Sequence, residues 1–233
     1  MGIFYGVGVG PGDPENITLK ALRIIKECPV IVLPNGNKED CYAYKIVKQV
    51  YPGIDDKEIL CCEFPMISGV SFLRNAHDKV YEQVVPYLEK ADVAFLTIGD
   101  PTIYSTYAYI SERVAASGGS VKLINGVPSF CAVAARLGIP LAVNKQEIHI
   151  IPGSARLEDT AGYEGTCVYM KSGKKLKELT AFLKGLSTQR NMRICGVSNC
   201  GMENEVVYSD LEELSNSPDN EYLTIVISLP IRP

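Results

Sequence analysis

Gly6, Gly8, Gly10 and Gly12 fall on every second position near the start of the chain, with Val7 and Val9 among them. Residues two apart share a face in an extended strand. A strand over Ile3–Val9 therefore presents one face almost without side chains. Glycine loses more backbone freedom on folding than any other residue, so the stripe needs a reason. The reason expected is a close approach to the backbone at the strand's carboxyl end, by a ligand or by a tightly packed helix. The dinucleotide fingerprint G-x-G-x-x-G does not account for it. Pro11 stands where Gly6-x-Gly8 would need its third glycine, and Gly8-x-Gly10 leads to Asp13. Pro11 and Pro14 also remove N–H donors that a pyrophosphate would use. Ser172-Gly173-Lys174 lacks the pattern that precedes a P-loop lysine. A bound cofactor is thus not expected to be held by phosphates.

Beyond the stripe, strand and helix signals alternate. Strands are expected at Ile3–Val9, Val30–Leu33, Glu58–Phe64, Val93–Ile98 and Val121–Ile124. Helices are expected at Thr18–Cys28, Tyr42–Tyr51, Ser71–Glu89, Pro101–Ser117 and Ser129–Leu137, with a kink at Pro86. This describes a mostly parallel five-stranded sheet with helices on both faces. After Gly138-Ile139-Pro140 the pattern changes. Strands at Glu147–Ile151, Thr166–Met170, Arg193–Val197, Val206–Ser209 and Leu223–Ile227 come with helices at Lys175–Gly185 and Leu211–Asn216, as in a mixed sheet. The reading is two α/β domains, 1–140 and 141–233, joined near residues 138–146.

The 233 residues are 46% apolar and 21% charged, enough to bury a sizeable core. Net charge is −4, so there is no overall basic field for nucleic acid. Apolar stretches are short of the ~20 residues of a membrane span. The opening segment lacks a basic region and a cleavage site, which points to the cytoplasm. The eight cysteines form no C-x-x-C pair, and the histidines are His77 and His149 alone. No protein-bound metal is expected. The thiols are expected to be reduced and mostly packed as small hydrophobes, with the adjacent Cys61 and Cys62 the weakest case. Both histidines read as structural.

Two corners repeat the sequence Gly-Asp-Pro. Gly12-Asp13-Pro14 follows the first strand and Gly99-Asp100-Pro101 the fourth. Each reads as a turn, an Asp cap and a Pro at the first helical position. For Asp13 the capping role suffices. Asp100 precedes a dense polar and aromatic run, Thr102, Tyr104, Ser105, Thr106 and Tyr107. Both corners and the turn Asn125–Ser129 would lie at the carboxyl ends of strands, where open α/β sheets bind ligands.

The segments GVGVGPGDPENITLKA, TIGDPTIYSTY and GVPSFCAVAARLGIPLA resemble the signatures of the S-adenosylmethionine-dependent tetrapyrrole methyltransferases of corrin biosynthesis. The second and third are most similar to the branch that methylates C-20 of precorrin-2 or cobalt-factor II. The resemblance covers nearly all of the chain. It implies that S-adenosylmethionine lies folded in the cleft between the two domains. By matching motif, Pro11 closes the first cofactor loop, Gly99 and Asp100 contact the methionine part, Ile103 packs nearby, and Ser129 lines the same pocket. Met170 and Cys200 are carried over from the second domain. Where relatives read Pro-Gly-Ile-Ser-Ser-Phe, this chain has Asn125-Gly126-Val127-Pro128-Ser129-Phe130, so Pro128 replaces a hydroxyl residue and one N–H. A homodimer is implied as well.

Methyl transfer from a sulfonium asks the protein for alignment and exclusion of water. That agrees with the lack of a Ser/His/Asp constellation, and no catalytic base is identified. Tyr104 is a candidate substrate contact. A tetrapyrrole is rich in carboxylates while the chain is acidic, so a local positive surface is expected. Lys171, Lys174, Lys175 and Lys177 form the densest cluster, with Lys171 and Lys174 the candidates for binding substrate. Two other readings stay open. One is a related methyltransferase acting on another tetrapyrrole position, ribosomal RNA or a modified protein side chain. The other is a binding module without activity.

Overall fold

Five parallel strands build the first sheet: β1 (Ile3–Gly8), β2 (Val30–Leu33), β3 (Glu58–Cys61), β4 (Val93–Thr97) and β5 (Ser120–Ile124). Their spatial order is β3-β2-β4-β1-β5, with Gly6 of β1 level with Phe95 of β4 and Leu123 of β5. These positions come from a computed structural model, which describes residues 1–64, 70–217 and 223–231.

The two-residue period of the strands sorts their side chains into two cores. Tyr5, Val7, Ile31, Leu33, Ala94 and Leu96 pack with Ala21, Ile24 and Ile25 of α1 (Leu19–Glu27) and with Tyr44 and Val47 of α2 (Tyr42–Val50). Phe4, Val30, Val32, Val93 and Phe95 pack with Val84 and Leu88 of α3 (Val70–Leu88) and with Tyr107, Ile110 and Val114 of α4 (Tyr107–Ala116). Helices therefore cover both faces, which explains the near-continuous apolar runs of β2 and β4. Each fully buried Leu, Ile or Phe contributes about 1.5–3 kcal/mol.

The helix expected at Pro101–Ser117 is shorter than that pattern suggested and begins at Tyr107. Residues 101–106 form a turn, in which the Asp100 carboxylate accepts from the Thr102 backbone and Tyr104 is left-handed, with φ 48°. A left-handed residue cannot continue a right-handed helix, so α4 starts only after it. Ser105 Oγ accepts the Tyr107 N–H at 3.2 Å and helps to start α4. At the other Gly-Asp-Pro corner, Asp13 caps a short 3-10 turn over Pro14–Asn16. The longer helix α1 starts afresh at Thr18, whose hydroxyl accepts the Ala21 N–H at 3.1 Å.

The second sheet comprises β6 (Ile148–Pro152), β7 (Thr166–Met170), β8 (Met192–Ser198), β9 (Val206–Tyr208) and β10 (Thr224–Pro230), in the order β6-β7-β10-β8-β9. The β6–β7 pair is parallel and the others antiparallel, so the sheet is mixed. Its core joins Tyr169, Ile194 and Val226 to Leu179 and Leu183 of α6 (Leu176–Ser187) and Leu214 of α7 (Leu211–Asn216). Two compact units result, Met1–Pro128 and Ser129–Pro233. Helix α5 (Ser129–Arg136) packs on β10 and groups with the second unit. The join expected at 138–146 thus lies inside that unit.

All eight cysteines are free thiols. Cys28, Cys41, Cys62, Cys167, Cys195 and Cys200 are buried, whereas Cys61 and Cys131 are exposed. The pair Cys61-Cys62 straddles the end of β3, so one side chain enters the core and the other leaves it. Among the described residues, no helix is long and apolar enough to cross a membrane.

Candidate functional site

At the carboxyl edge of the first sheet, three backbone corners meet. Gly10 and Gly99 form an antiparallel bridge. The Gly99 N–H donates to Gly10 O at 2.8 Å, and the Gly10 N–H donates to Gly99 O at 3.3 Å. Both residues have positive φ, 78° and 72°, a backbone region that side chains other than glycine's rarely enter. Gly8 lies beneath them. A Cβ there would sit 2.5 Å from Gly99 O and 2.6 Å from the Gly126 nitrogen. The glycine stripe is thus filled by the chain itself: the Tyr107 ring covers Gly6, and two backbone corners cover Gly8.

Asp100 fastens these corners. It is 5% exposed. One carboxylate oxygen, Oδ1, accepts from the Thr102 N–H at 2.8 Å and the Thr102 hydroxyl at 2.5 Å. The other, Oδ2, accepts from Asn125 Nδ2 and the Gly126 N–H, both at 3.1 Å. Burial by itself would push the Asp100 carboxyl up, but these donors outweigh it and hold the group below its usual range. The carboxylate therefore stays ionised at neutral pH, with four donors already aimed at it. No helix begins at Asp100, so its role is not that of an N-cap. Thr18 extends the connection, since its hydroxyl donates to Asn125 O at 3.3 Å.

The other candidates of this unit lie on the same loops. Pro11 is buried beside Gly10, Ile103 is half-buried, and Tyr104 is 48% exposed. Ser105 donates to Thr97 Oγ1 at 3.2 Å and ties the turn back to β4.

In the second unit, Met170 ends β7 and Cys200 follows β8. Both strands flank β10. The Ser172 N–H donates to Thr224 O at 3.0 Å, and the Asn199 N–H donates to Leu223 O at 3.2 Å, so the two ends lie on one sheet edge. Lys171 and Asn199 are left-handed there, with φ 56° and 51°. Left-handed backbone at non-glycine residues is a strain that surrounding structure must hold. Met170 is 6% and Cys200 9% exposed. Lys171 and Lys174 are exposed and three residues apart in a segment leading into α6. Ser129 is half-buried at the start of α5.

The histidines are held in ring stacks. His77 lies 4.4 Å from the Tyr109 ring, nearly parallel to it, and burial followed by the Arg113 charge lowers its pKa. His149 stacks on Tyr163 at 4.4 Å, with Nε2 2.8 Å from Glu164 O. Among the described residues, no group of three or more His, Cys, Asp or Glu is placed to hold a metal.

Sequence reasoning did not identify Asn125 and Gly126 as the partners of Asp100, nor Thr18 as their tie to α1. Asn125 and Gly126 were legible only as a turn. Glu205 and Arg136, which meet at 2.5 Å, carried no sequence signal.

The profile of the family described as Tetrapyrrole (Corrin/Porphyrin) Methylases matches residues 4–215. A probable cobalt-precorrin-2 C(20)-methyltransferase of Methanocaldococcus jannaschii is 36% identical over 226 residues, covering 96% of this chain and 94% of that protein. The cobalt-precorrin-2 C(20)-methyltransferase of Salmonella typhimurium is 27% identical over 233 residues, covering 97% and 95%. A similar fold is seen in the uroporphyrin-III C-methyltransferase of Thermus thermophilus complexed with S-adenosylhomocysteine. Its TM-score is 0.72, with 20% identity and 97% of each chain covered.

Proposed function

The chain belongs to the tetrapyrrole (corrin/porphyrin) methylases, and from that membership we propose that it transfers a methyl group from S-adenosylmethionine to C-20 of cobalt-chelated precorrin-2. The observation that carries the reading is the 36% identity along nearly the whole of both chains with a relative named for that reaction. The second relative, named for the same cobalt form, supports the choice of the metallated ring. A fold neighbour complexed with S-adenosylhomocysteine supports the donor class.

The residues fit such a donor better than a dinucleotide. Pro11 and Pro14 lack N–H groups, and the corner around Gly8, Gly99 and Gly126 brings backbone rather than cationic side chains to the sheet edge. When bound, S-adenosylmethionine supplies an electrophilic methyl on a sulfonium. The protein then has to fix the geometry of attack and keep water out.

In the first unit Pro11, Gly99, Asp100 and Ile103 are proposed to contact the donor. Asp100 does so through its backbone, since its carboxylate is engaged with Thr102, Asn125 and Gly126. In the second unit Ser129, Met170 and Cys200 are proposed to contribute. Tyr104, exposed on strained backbone, is proposed to touch the macrocycle. Lys171 and Lys174 are proposed to meet its carboxylates. The methyl–sulfur bond breaks as the carbon–carbon bond forms, the sulfur departs as a neutral thioether and C-20 then loses its proton, so the reaction asks for no protein-bound metal; any cobalt belongs to the substrate. The resemblance also supports a homodimer working in the cytoplasm on a small-molecule substrate, without nucleic acid or membrane.

The test is to incubate the purified chain with S-adenosylmethionine and either precorrin-2 or its cobalt complex, and to count added methyl groups by mass spectrometry. One added methyl, faster on the cobalt complex, supports the reading. No added methyl on either ring contradicts it.

A further inference from the structure

The turn that follows β8 is built on strained backbone. Asn199 and Gly201 have φ 51° and 77°. The Met202 N–H donates to Asn199 O at 2.9 Å, the Glu205 N–H donates to Met202 O at 3.0 Å, and Asn199 Nδ2 donates to Asn204 O at 3.4 Å. A double turn of this kind needs something to hold it.

Glu205 supplies that hold from within the loop. Its Oε2 accepts the Gly201 N–H at 2.8 Å. Its Oε1 accepts Arg136 Nε at 2.5 Å, and the Cys200 thiol also donates to the carboxylate. One carboxylate thus touches the middle of the turn, the residue before it and the last turn of α5. The Glu205 side chain is 18% exposed and that of Arg136 53%. Burial would raise the Glu205 pKa, but Gly201, Arg136 and Cys200 together bring it below its usual value, so the pair is charged at neutral pH.

We propose that Glu205 and Arg136 form a positioning pair that presets the Cys200–Gly201 turn for the methyl donor. The inference rests on the reading of Cys200 as a donor contact. The pair is assigned no contact with the donor and acts through the turn. With the pair in place, the turn is already in its binding shape. Without it, Asn199 relaxes toward commoner backbone and Gly201 gains freedom, and binding has to reorder them, which lowers apparent affinity in proportion to the fraction still competent.

The experiment is calorimetric titration of the full chain with S-adenosylhomocysteine, for the unaltered protein and for Glu205→Ala, Arg136→Met, Arg136→Lys and the double variant Glu205→Ala/Arg136→Met. Glu205→Ala is expected to weaken binding about tenfold, the scale of a lost hydrogen bond to a charged group. Arg136→Met should weaken it several-fold, and Arg136→Lys should recover part of the loss because the charge remains. The double variant should bind no worse than Glu205→Ala alone, since the two act as a unit. Titrations well below each variant's melting temperature separate this from general destabilisation, which would lower melting temperature and leave affinity unchanged. If Glu205→Ala does not fold, Arg136→Met decides, because its side chain is half exposed. Affinities equal to the unaltered protein's overturn the inference. An unaltered protein that binds no S-adenosylhomocysteine overturns the donor reading instead.

Discussion

The Asp100 carboxylate accepts the Gly126 N–H at 3.1 Å across 26 positions of the chain, and so locks the loop after β4 to the loop after β5. The same oxygen takes Asn125 Nδ2, and the other takes Thr102 twice. Asp100→Asn would turn an amide toward two N–H donors. We expect it to lower unfolding free energy by about 2–3 kcal/mol, because buried donors lose a charged acceptor, and to weaken donor binding beyond the ~1 kcal/mol of a simple cap. Urea unfolding and calorimetry measure the two. Normal binding by a folded variant would show that the Asp100 carboxylate does not hold these loops in the shape that binds the donor.

The same carboxyl carries a pH signature. Its folded-state pKa lies below its unfolded value, near 4 for a free Asp, so the contribution to stability is complete above about pH 4. It is lost as the pH falls through the folded value. Unfolding midpoints measured at descending pH should drop less steeply below pH ~4 in Asp100→Asn than in the unaltered protein. Parallel curves would show that the carboxyl titrates alike in both states.

Gly6 and Tyr107 test the glycine stripe. A Cβ on Gly6 would approach the Tyr107 ring to 2.5 Å. Gly6→Ala should destabilise the chain by about 1–3 kcal/mol, as overpacking does. Combined with Tyr107→Leu, the two losses should be less than additive, because the smaller side chain relieves the clash. Additive losses in denaturant titrations would mean that the ring is not what excludes a side chain at Gly6.

Thiol accessibility should divide the cysteines sharply. Cys61 and Cys131 are exposed. Burial pushes the Cys28 thiol up to about 12 and the Cys62 thiol to about 11, with neighbouring Asp92 and Cys61 adding to the respective shifts. The thiolate is the reactive form. Brief alkylation of the folded chain near neutral pH, read by peptide mass spectrometry, should label Cys61 and Cys131 and spare Cys28 and Cys62. Equal labelling of Cys62 would contradict its placement in the core.

Reversing the charge of Lys171 and Lys174 together should weaken binding of the carboxylate-rich ring about tenfold, as expected for two surface charge contacts of under 1 kcal/mol each. Affinity for S-adenosylhomocysteine should not change. Fluorescence or absorbance titration with the tetrapyrrole reads the first and calorimetry the second. Unchanged ring affinity would remove these lysines from the substrate surface.

Much of the scaffold was legible because it follows periods. The apolar runs of Val30–Leu33 and Val93–Thr97 report strands buried on both faces, and the spacing of Val80, Val84 and Leu88 reports a helix. What was not legible depends on contacts between distant residues. Nothing in the spacing of Asp100 and Asn125, or of Arg136 and Glu205, announces that they meet; the latter are 69 positions apart. The overlong helix at Pro101–Ser117 fails for a related reason. Thr102, Ser105 and Tyr104 are compatible with a helix start by residue type, but Tyr104 is left-handed, a conformation no local pattern announces and no helix continues through. Cys200 lies on a turn whose left-handed Asn199 and Gly201 are held by contacts with Asn204 and Glu205 rather than announced by any local pattern.

The most direct test of the proposed reaction is the position of the new methyl group. The purified chain is incubated with cobalt-precorrin-2 and S-adenosylmethionine carrying an isotopically labelled methyl, and the product is examined by nuclear magnetic resonance. A single labelled methyl at C-20 is the predicted result. Label at any other ring position, or an unmodified ring in the presence of a chain that binds S-adenosylhomocysteine, would contradict it.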